Sequence, residues 1–215
     1  MTVPIQWLVF DLGGVLVDVA PASETLARVA EQTDTPQSHL AELLRERFTG
    51  RPFSLAEQFQ VGELDARGFH AALNRELNRP LAFDALTHAL EAMLRGVDTD
   101  TARLLAQLSA SHRIACYSNT NAVHWRYIQQ HFDFLAAIER PFASQEIGYA
   151  KPDPRGFAAV AAALKAPPDA CLLIDDRAIN VEAARNAGWK ALHFTNAATL
   201  ARDLAALDIV PALSA

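Results

Sequence analysis

Lysine, cysteine and long apolar runs are all scarce in this chain. Its 215 residues contain two cysteines, and lysine occurs only at positions 151, 165 and 190 against 16 arginines. Cys116 and Cys171 both sit inside apolar stretches that read as strands, so they are expected as buried thiols and not as a disulfide framework. The histidines form no H-x-x-x-H pair and no Cys/His cluster with zinc-site spacing. A net charge of -6 leaves no basic surface for a phosphate backbone, which argues against a nucleic-acid partner. No segment reaches the roughly 18 apolar residues needed to span a bilayer, and residues 1–6 lack a basic stretch leading into an apolar one. The expectation is a soluble cytoplasmic protein, monomer or homodimer, with neither membrane nor nucleic acid as partner.

What the chain does have is material for a core. Hydrophobic residues make up 51% of it, enough for one sizeable domain or for a core domain carrying a smaller insert. Residues 5–10 form a continuous apolar run that reads as a buried strand, and the next run of that character is 113–117. Between them apolar residues recur at helical spacing over 22–31, 39–48, 55–60, 66–77 and 83–94, punctuated by Pro36, Gly50-Arg51-Pro52, Gly62, Pro80 and Gly96. This predicts an all-helical insert over 19–96. From residue 99, helices over 101–109, 122–131, 154–164, 178–187 and 198–207 alternate with strands over 113–117, 141–143, 170–174 and 190–194. Such alternation implies right-handed crossovers and a parallel sheet. The predicted fold is α/β, a Rossmann-like parallel-sheet core of residues 1–18 and 97–215 with helices on both faces, plus the helical insert.

Four strand ends in this scheme carry polar residues that can meet in one crevice, where open α/β sheets bind ligands. They are Asp11, in Phe10-Asp11-Leu12-Gly13-Gly14; Ser118-Asn119-Thr120-Asn121; Lys151, in Ala150-Lys151-Pro152-Asp153; and Asp175-Asp176, with Asn180 four residues beyond the latter. Each has a plain reading alone: Ser118-Asn119 as a helix cap, Lys151 as a solvated charge, Asp175-Asp176 as a turn. Together they say more. Paired carboxylates directly after an apolar strand are costly unless a cation neutralises them, and an oxygen-rich cluster suits Mg²⁺. Lys151 is the first lysine after 150 residues without one, so it reads poorly as a random surface charge.

These residues resemble the four ordered motifs of the haloacid dehalogenase-like hydrolases: Asp11 in the first, Ser118 in the second, Lys151 in the third and Asp175-Asp176 in the fourth. The likeness spans essentially the whole chain, and the insert resembles that family's helical cap. More narrowly, Ser-Asn-Thr-Asn-x-x-His at 118–124 and Asp-Asp-x-x-x-Asn at 175–180 are similar to bacterial glucose-1-phosphatase-type members. The resemblance implies a phosphatase for a small phosphorylated metabolite, with Asp11 as nucleophile forming an aspartyl-phosphate. It implies Mg²⁺ held by Asp11, the Gly13 carbonyl, Asp176 and Asp175. Ser118, Asn119, Gly14 and Lys151 would hold the phosphoryl oxygens, and Asn180 would orient Asp176 or Lys151.

One position departs from the pattern. Most phosphatases of this kind carry an Asp two residues after the nucleophile, as general acid and base, and here it is Gly13. Three consequences follow as alternatives: slow hydrolysis, a substrate whose leaving group needs little protonation, or an acid supplied from elsewhere, for which Asp18 is the candidate. The second alternative suits a sugar 1-phosphate. A non-catalytic phosphate-binding protein is the other class of reading. Haloacid dehalogenation is disfavoured because Asp175-Asp176 are present, and phosphonate cleavage because residues 19–97 contain no lysine. The spacing Cys171-x5-Arg177 resembles a cysteine phosphatase loop, but its intervening residues are a strand and two anions. His124 and Trp125 are candidates to face the crevice, and Arg47 or Arg51 to meet a second anionic group.

Overall fold

The computed structural model describes residues 3–47 and 53–209. In chain order the elements are β1 (Trp7–Phe10), β2 (Val17–Val19), α1 (Ala22–Thr33), α2 (Gln37–Leu43), α3 (Leu55–Gln60), α4 (Ala66–Asn74), α5 (Phe83–Glu91), β3 (Leu94–Val97), α6 (Thr99–Ser109), β4 (Arg113–Ser118), α7 (Ala122–His131), β5 (Arg140–Ala143), α8 (Ser144–Ile147), α9 (Pro154–Leu164), β6 (Cys171–Asp175), α10 (Ala178–Asn186), β7 (Lys190–His193) and α11 (Ala197–Ala205). The main sheet has the order β5-β4-β1-β6-β7 and is parallel throughout.

β1 lies at its centre, and that explains its unbroken apolar run. Successive side chains of a strand point to opposite faces, and both faces here are covered. Leu8 and Phe10 pack with Leu105 of α6, Trp125 and Ile128 of α7 and Leu204 of α11. Trp7 and Val9 face the other way, onto Phe157 and Val160 of α9 and Val181 of α10. The parallel α/β core with helices on both faces is therefore as expected. α9 starts where Asp153 caps it by accepting from Arg155 N, with Pro154 at its first position, where a missing N–H costs nothing.

Helices α1 to α5 bury a separate apolar cluster that includes Val29, Leu40, Phe59, Phe69, Leu73 and Leu86, with Phe59 stacked on Phe69 at 4.5 Å between ring centroids. Several expectations about this insert are corrected, among them the helix expected over 39–48, which ends at Leu43. The insert is not bounded by helix alone: β2 and β3 pair antiparallel at its base, and the helix expected over 83–94 ends at Glu91. β2 is three residues long and β3 is interrupted by Gly96 at φ +156°, so neither has a period long enough to read as a strand. The helix expected over 66–77 ends at Asn74, whose side-chain amide bonds both the N–H and the carbonyl of Leu81 and turns the chain away. Gly50, Arg51 and Pro52 lie outside the described residues. No helix among the described residues is long and apolar enough to cross a membrane.

Candidate active site

Three adjacent parallel strands end at the site. Asp11 follows β1, Ser118 ends β4 and Asp175 ends β6, and because β4, β1 and β6 are neighbours their carboxyl ends open side by side. Lys151 enters from the segment between α8 and α9 and is only 1% exposed. Its Nζ lies 3.1 Å from Asp11 Oδ1 and 2.6 Å from Asp175 Oδ2. The lysine is held in place by Asn119: Lys151 N donates to Asn119 Oδ1, and Asn119 Nδ2 donates to Lys151 O, each at 2.7 Å. The Asn119 side chain thus positions Lys151 through one N–H and its carbonyl oxygen, and the residue also lines the cavity described below.

The two carboxylates of the fourth motif have different environments. Asp175 is fully buried and accepts from Lys151 Nζ, Arg177 N at 2.9 Å and Asn180 Nδ2 at 3.0 and 3.2 Å. Asn180 therefore orients Asp175, not Asp176 or Lys151 as the motif reading implied. Asp176 is half-buried, and its Oδ1 is enclosed without a hydrogen-bond partner. A buried, unpartnered carboxylate oxygen calls for a cation. Ligand atoms of Asp11, Asp175 and Asp176 lie within 4.8 Å of one another, so this donor set fits a small oxygen-preferring dication. Gly14, at φ +75°, closes the turn beside them by donating to Val17 O at 2.8 Å, and a Cβ there would collide with the Asp176 carboxylate.

Burial pushes the Asp11 carboxyl up to about 7, with Asp175 adding to the rise and Lys151 and the Leu12 N–H opposing it. Burial likewise raises Asp176, again with Asp175 adding to it. For Lys151 burial pulls downward, but Asp11 and Asp175 outweigh it and hold the ammonium above its ordinary value. Three carboxylates around one ammonium leave a net negative centre.

Asp11 and Asp176 of this centre lie on the floor of a cavity of about 710 Å³ whose far wall comes from the helical insert, and Lys151 and Asp175 do not line it. Asp11, Gly13, Gly14, Ser118, Asn119 and Asp176 all reach it. Asp18 does not: β2 turns Val17 and Val19 toward the cavity and Asp18 into solvent, so it is no substitute for an acid at position 13. His124 lines the cavity but is engaged at both nitrogens, by Leu90 O at 2.9 Å and Asn121 Nδ2 at 3.2 Å. A ring that donates to one and accepts from the other is neutral, and burial lowers its pKa. Trp125 is in the core and donates to Glu146. Asn121, not Ser118-Asn119, caps α7. Arg47 pairs with Glu42 at 3.9 Å and is not on the cavity wall.

The sequence reading missed Arg177 and Glu46. Arg177 follows the carboxylate pair and reaches Glu46 Oε2 at 3.4 Å, bridging core and insert at the cavity rim. Its adjacency to Asp175-Asp176 was a usable signal, whereas Glu46, 131 positions away, carried none. Ser144, fully buried at the start of α8, makes a second bridge: it accepts from Thr120 N at 2.9 Å and donates to Gln60 O at 2.6 Å.

A family model described as a haloacid dehalogenase-like hydrolase matches residues 5–188. Among curated relatives, a protein named as a phosphatase in Mycobacterium tuberculosis is 30% identical over 175 residues, 81% of this chain and 62% of the relative. One named flavin mononucleotide hydrolase 1, from Arabidopsis thaliana, is 35% identical over 106 residues, 49% of this chain and 43% of the relative. The chain thus spans less than two thirds of the length of these relatives. A haloacid dehalogenase-like hydrolase of Porphyromonas gingivalis has the same fold, with a TM-score of 0.78 at 23% identity, covering 95% of this chain and 98% of that one. So has an enzyme of Bacteroides thetaiotaomicron whose structure is a complex with magnesium and inorganic phosphate, with a TM-score of 0.74 at 23% identity, covering 89% and 94%.

Proposed function

The chain belongs to the haloacid dehalogenase-like hydrolases, and we propose that within them it is a Mg²⁺-dependent phosphatase of a small phosphorylated metabolite, working through an aspartyl-phosphate, with the helical insert as its cap. The observation that carries the reading is Asp11 held 3.1 Å from a buried Lys151 beside an Asp176 oxygen that has no partner. Asp11, the Gly13 carbonyl and Asp176 would hold the ion, which supplies positive charge at the nucleophile and the phosphoryl oxygens. Asp175 contributes to the cluster mainly as the anchor of Lys151.

The remaining chemistry belongs to the chain. Asp11 Oδ attacks phosphorus, a phosphorus–oxygen bond to Asp11 forms, and the ester bond breaks with its electron pair leaving on the substrate oxygen. Lys151 and the Ser118 hydroxyl neutralise and orient the transferring oxygens, which is most of what such a reaction requires. Water then attacks phosphorus, releasing phosphate and restoring the carboxylate. Gly13 offers the leaving oxygen no proton, so esters whose alcohols are acidic, including anomeric and aryl phosphates, are favoured.

The test is phosphate release from a panel of phosphate esters, including sugar phosphates and flavin mononucleotide, with and without Mg²⁺ and with Asp11→Asn. Activity that needs both the ion and Asp11 supports the enzyme. Gly13 favours a second reading, a phosphate-ligand-binding protein without turnover, and ligand binding with no release across the panel would establish that instead.

A further inference from the structure

We infer that the ester admitted to this cavity carries an apolar body of aromatic size in place of a sugar, an inference that rests on the phosphatase reading above. At about 710 Å³ the cavity is in the range that encloses a whole small organic molecule, well beyond a phosphate group. Above the polar floor much of its wall is hydrocarbon, interrupted by Thr25, Arg45, Glu46, Gln60, His124 and Arg177. Leu26 of α1 stands on one side and Leu44, just beyond α2, on another, with Phe59 of α3, Leu90 of α5 and Met93 completing the enclosure. These side chains come from three helices and from the segments after α2 and α5, so the surface is built from most of the insert.

The polar side chains on that wall each have a partner within the protein. Thr25 Oγ1 donates to Ala89 O at 3.5 Å. Gln60 Nε2 donates to Glu46 Oε1 at 3.2 Å, while the Gln60 main-chain carbonyl takes the Ser144 hydroxyl. Glu46 also holds Arg177, and Arg45 pairs with Glu42 at 3.3 Å. A sugar bound here would bring several hydroxyls out of water to face leucine, methionine and phenylalanine, each losing a hydrogen bond it had in solvent. An apolar body loses nothing and removes both its own surface and that of the wall from water. The structure thus argues against the sugar phosphate expected from the motif likeness. A phenol also leaves without protonation more readily than an aliphatic alcohol, so the aryl esters within this class answer the missing carboxylate at Gly13 as well.

The experiment separates the body from the leaving group by using esters of primary alcohols only: benzyl phosphate, glycerol 1-phosphate and glucose 6-phosphate, assayed for kcat/KM with Mg²⁺. Benzyl phosphate is expected to exceed both others by about ten-fold or more, the scale on which an apolar pocket discriminates. Leu26→Asn and Leu44→Asn, on different parts of the wall, should each reduce that ratio several-fold, and circular dichroism identifies either that fails to fold. In parallel, calorimetry compares Kd for benzylphosphonate and methylphosphonate, which cannot be hydrolysed; the benzyl compound should bind about ten-fold tighter or better. Equal or better turnover of glucose 6-phosphate, or no preference between the phosphonates, overturns the inference and leaves the phosphatase standing. If none of these primary-alcohol esters is hydrolysed, the aryl and anomeric esters of the wider panel decide the phosphatase reading, and the phosphonate pair still decides whether the wall selects apolar bodies.

Discussion

Lys151 and Asp175 form an ion pair with no solvent access, Nζ to Oδ2 at 2.6 Å, and the same ammonium reaches Asp11 Oδ1 at 3.1 Å. One buried cation therefore joins the third motif to the first and the fourth. Its removal leaves two carboxylates in a low-dielectric site with no counter-charge, and breaking such a pair typically costs about 3–5 kcal/mol. Lys151→Met should lower stability to urea by that order, and Lys151→Met with Asp175→Asn should recover part of it. Additive losses in the double variant would show that the two groups are not coupled.

Asp176 should behave differently from its neighbour. Its Oδ1 has no partner to lose, so Asp176→Asn is expected to leave the metal-free protein as stable as before or slightly more so. Mg²⁺ at about 100 times its Kd should stabilise the unaltered protein by about 2.7 kcal/mol, seen as a rise in Tm, and this rise should vanish in Asp176→Asn. Asp175→Asn, by contrast, should destabilise the protein whether or not the ion is present, because three donors converge on that carboxylate. A Tm rise retained in Asp176→Asn would remove this residue from the metal site.

Gly13 can accept a side chain. Its φ is not in the positive region, and the nearest neighbour of an added Cβ would be a Val19 methyl at 3.4 Å, an ordinary contact. Gly13→Asp should therefore fold, and it should raise kcat on esters of poorly leaving alcohols by up to about 10²-fold while changing aryl esters little, as expected of an added general acid. Equal effects on both ester types would mean that proton donation is not what the position lacks.

His124 makes stability fall with acidity. Burial holds its pKa in the folded chain below the ordinary value, partly opposed by its bond to Leu90 O. The unfolded chain takes up a proton near pH 6.5 that the folded chain refuses, so stability declines as pH drops through about 6.5 and continues to decline toward the lowered folded value. His124→Gln keeps an N–H for Leu90 O and should remove this contribution, so that between about pH 7 and pH 5 its urea midpoint falls less with acidity than that of the unaltered protein. Parallel pH profiles for the two proteins would contradict this.

Ser144 ties the helical insert to the loop after Ser118 through a bond to Gln60 O at 2.6 Å and one from Thr120 N at 2.9 Å. Ser144→Ala leaves the Thr120 N–H without its buried acceptor, which should cost about 1–3 kcal/mol. Faster amide exchange at Thr120 should accompany the loss; unchanged exchange there would show that the bridge is not holding the loop.

Much of this architecture could be read directly from residue order. A strand buried on both faces must be apolar at every position, which is why β1, β4 and β6 stand out, and the polar residue ending each run marks where the chain leaves the sheet. Asp11, Ser118 and Asp175-Asp176 were legible for that reason, and Lys151 by the rarity of lysine. The β2–β3 pair was not legible, because three- and four-residue strands carry too few alternations to form a pattern. Nor did local order separate Asp175 from Asp176, two identical residues side by side, or assign Asn180 to the first of them. That depends on which carboxylate meets Lys151, 24 positions earlier.

The sequence by itself determined the candidate site residues and the sheet that gathers them, since strand burial and strand-end polarity are local properties. Only the tertiary structure decided that Asp175 anchors the lysine while Asp176 is left open to a cation, that the Asn119 side chain positions Lys151, and that the insert presents hydrocarbon to the cavity. Each of these depends on which atoms from distant segments occupy the same few ångströms. Packing settles that, because a buried polar atom must find a partner wherever the fold brings one, and a wall is polar or apolar according to the groups left facing inward.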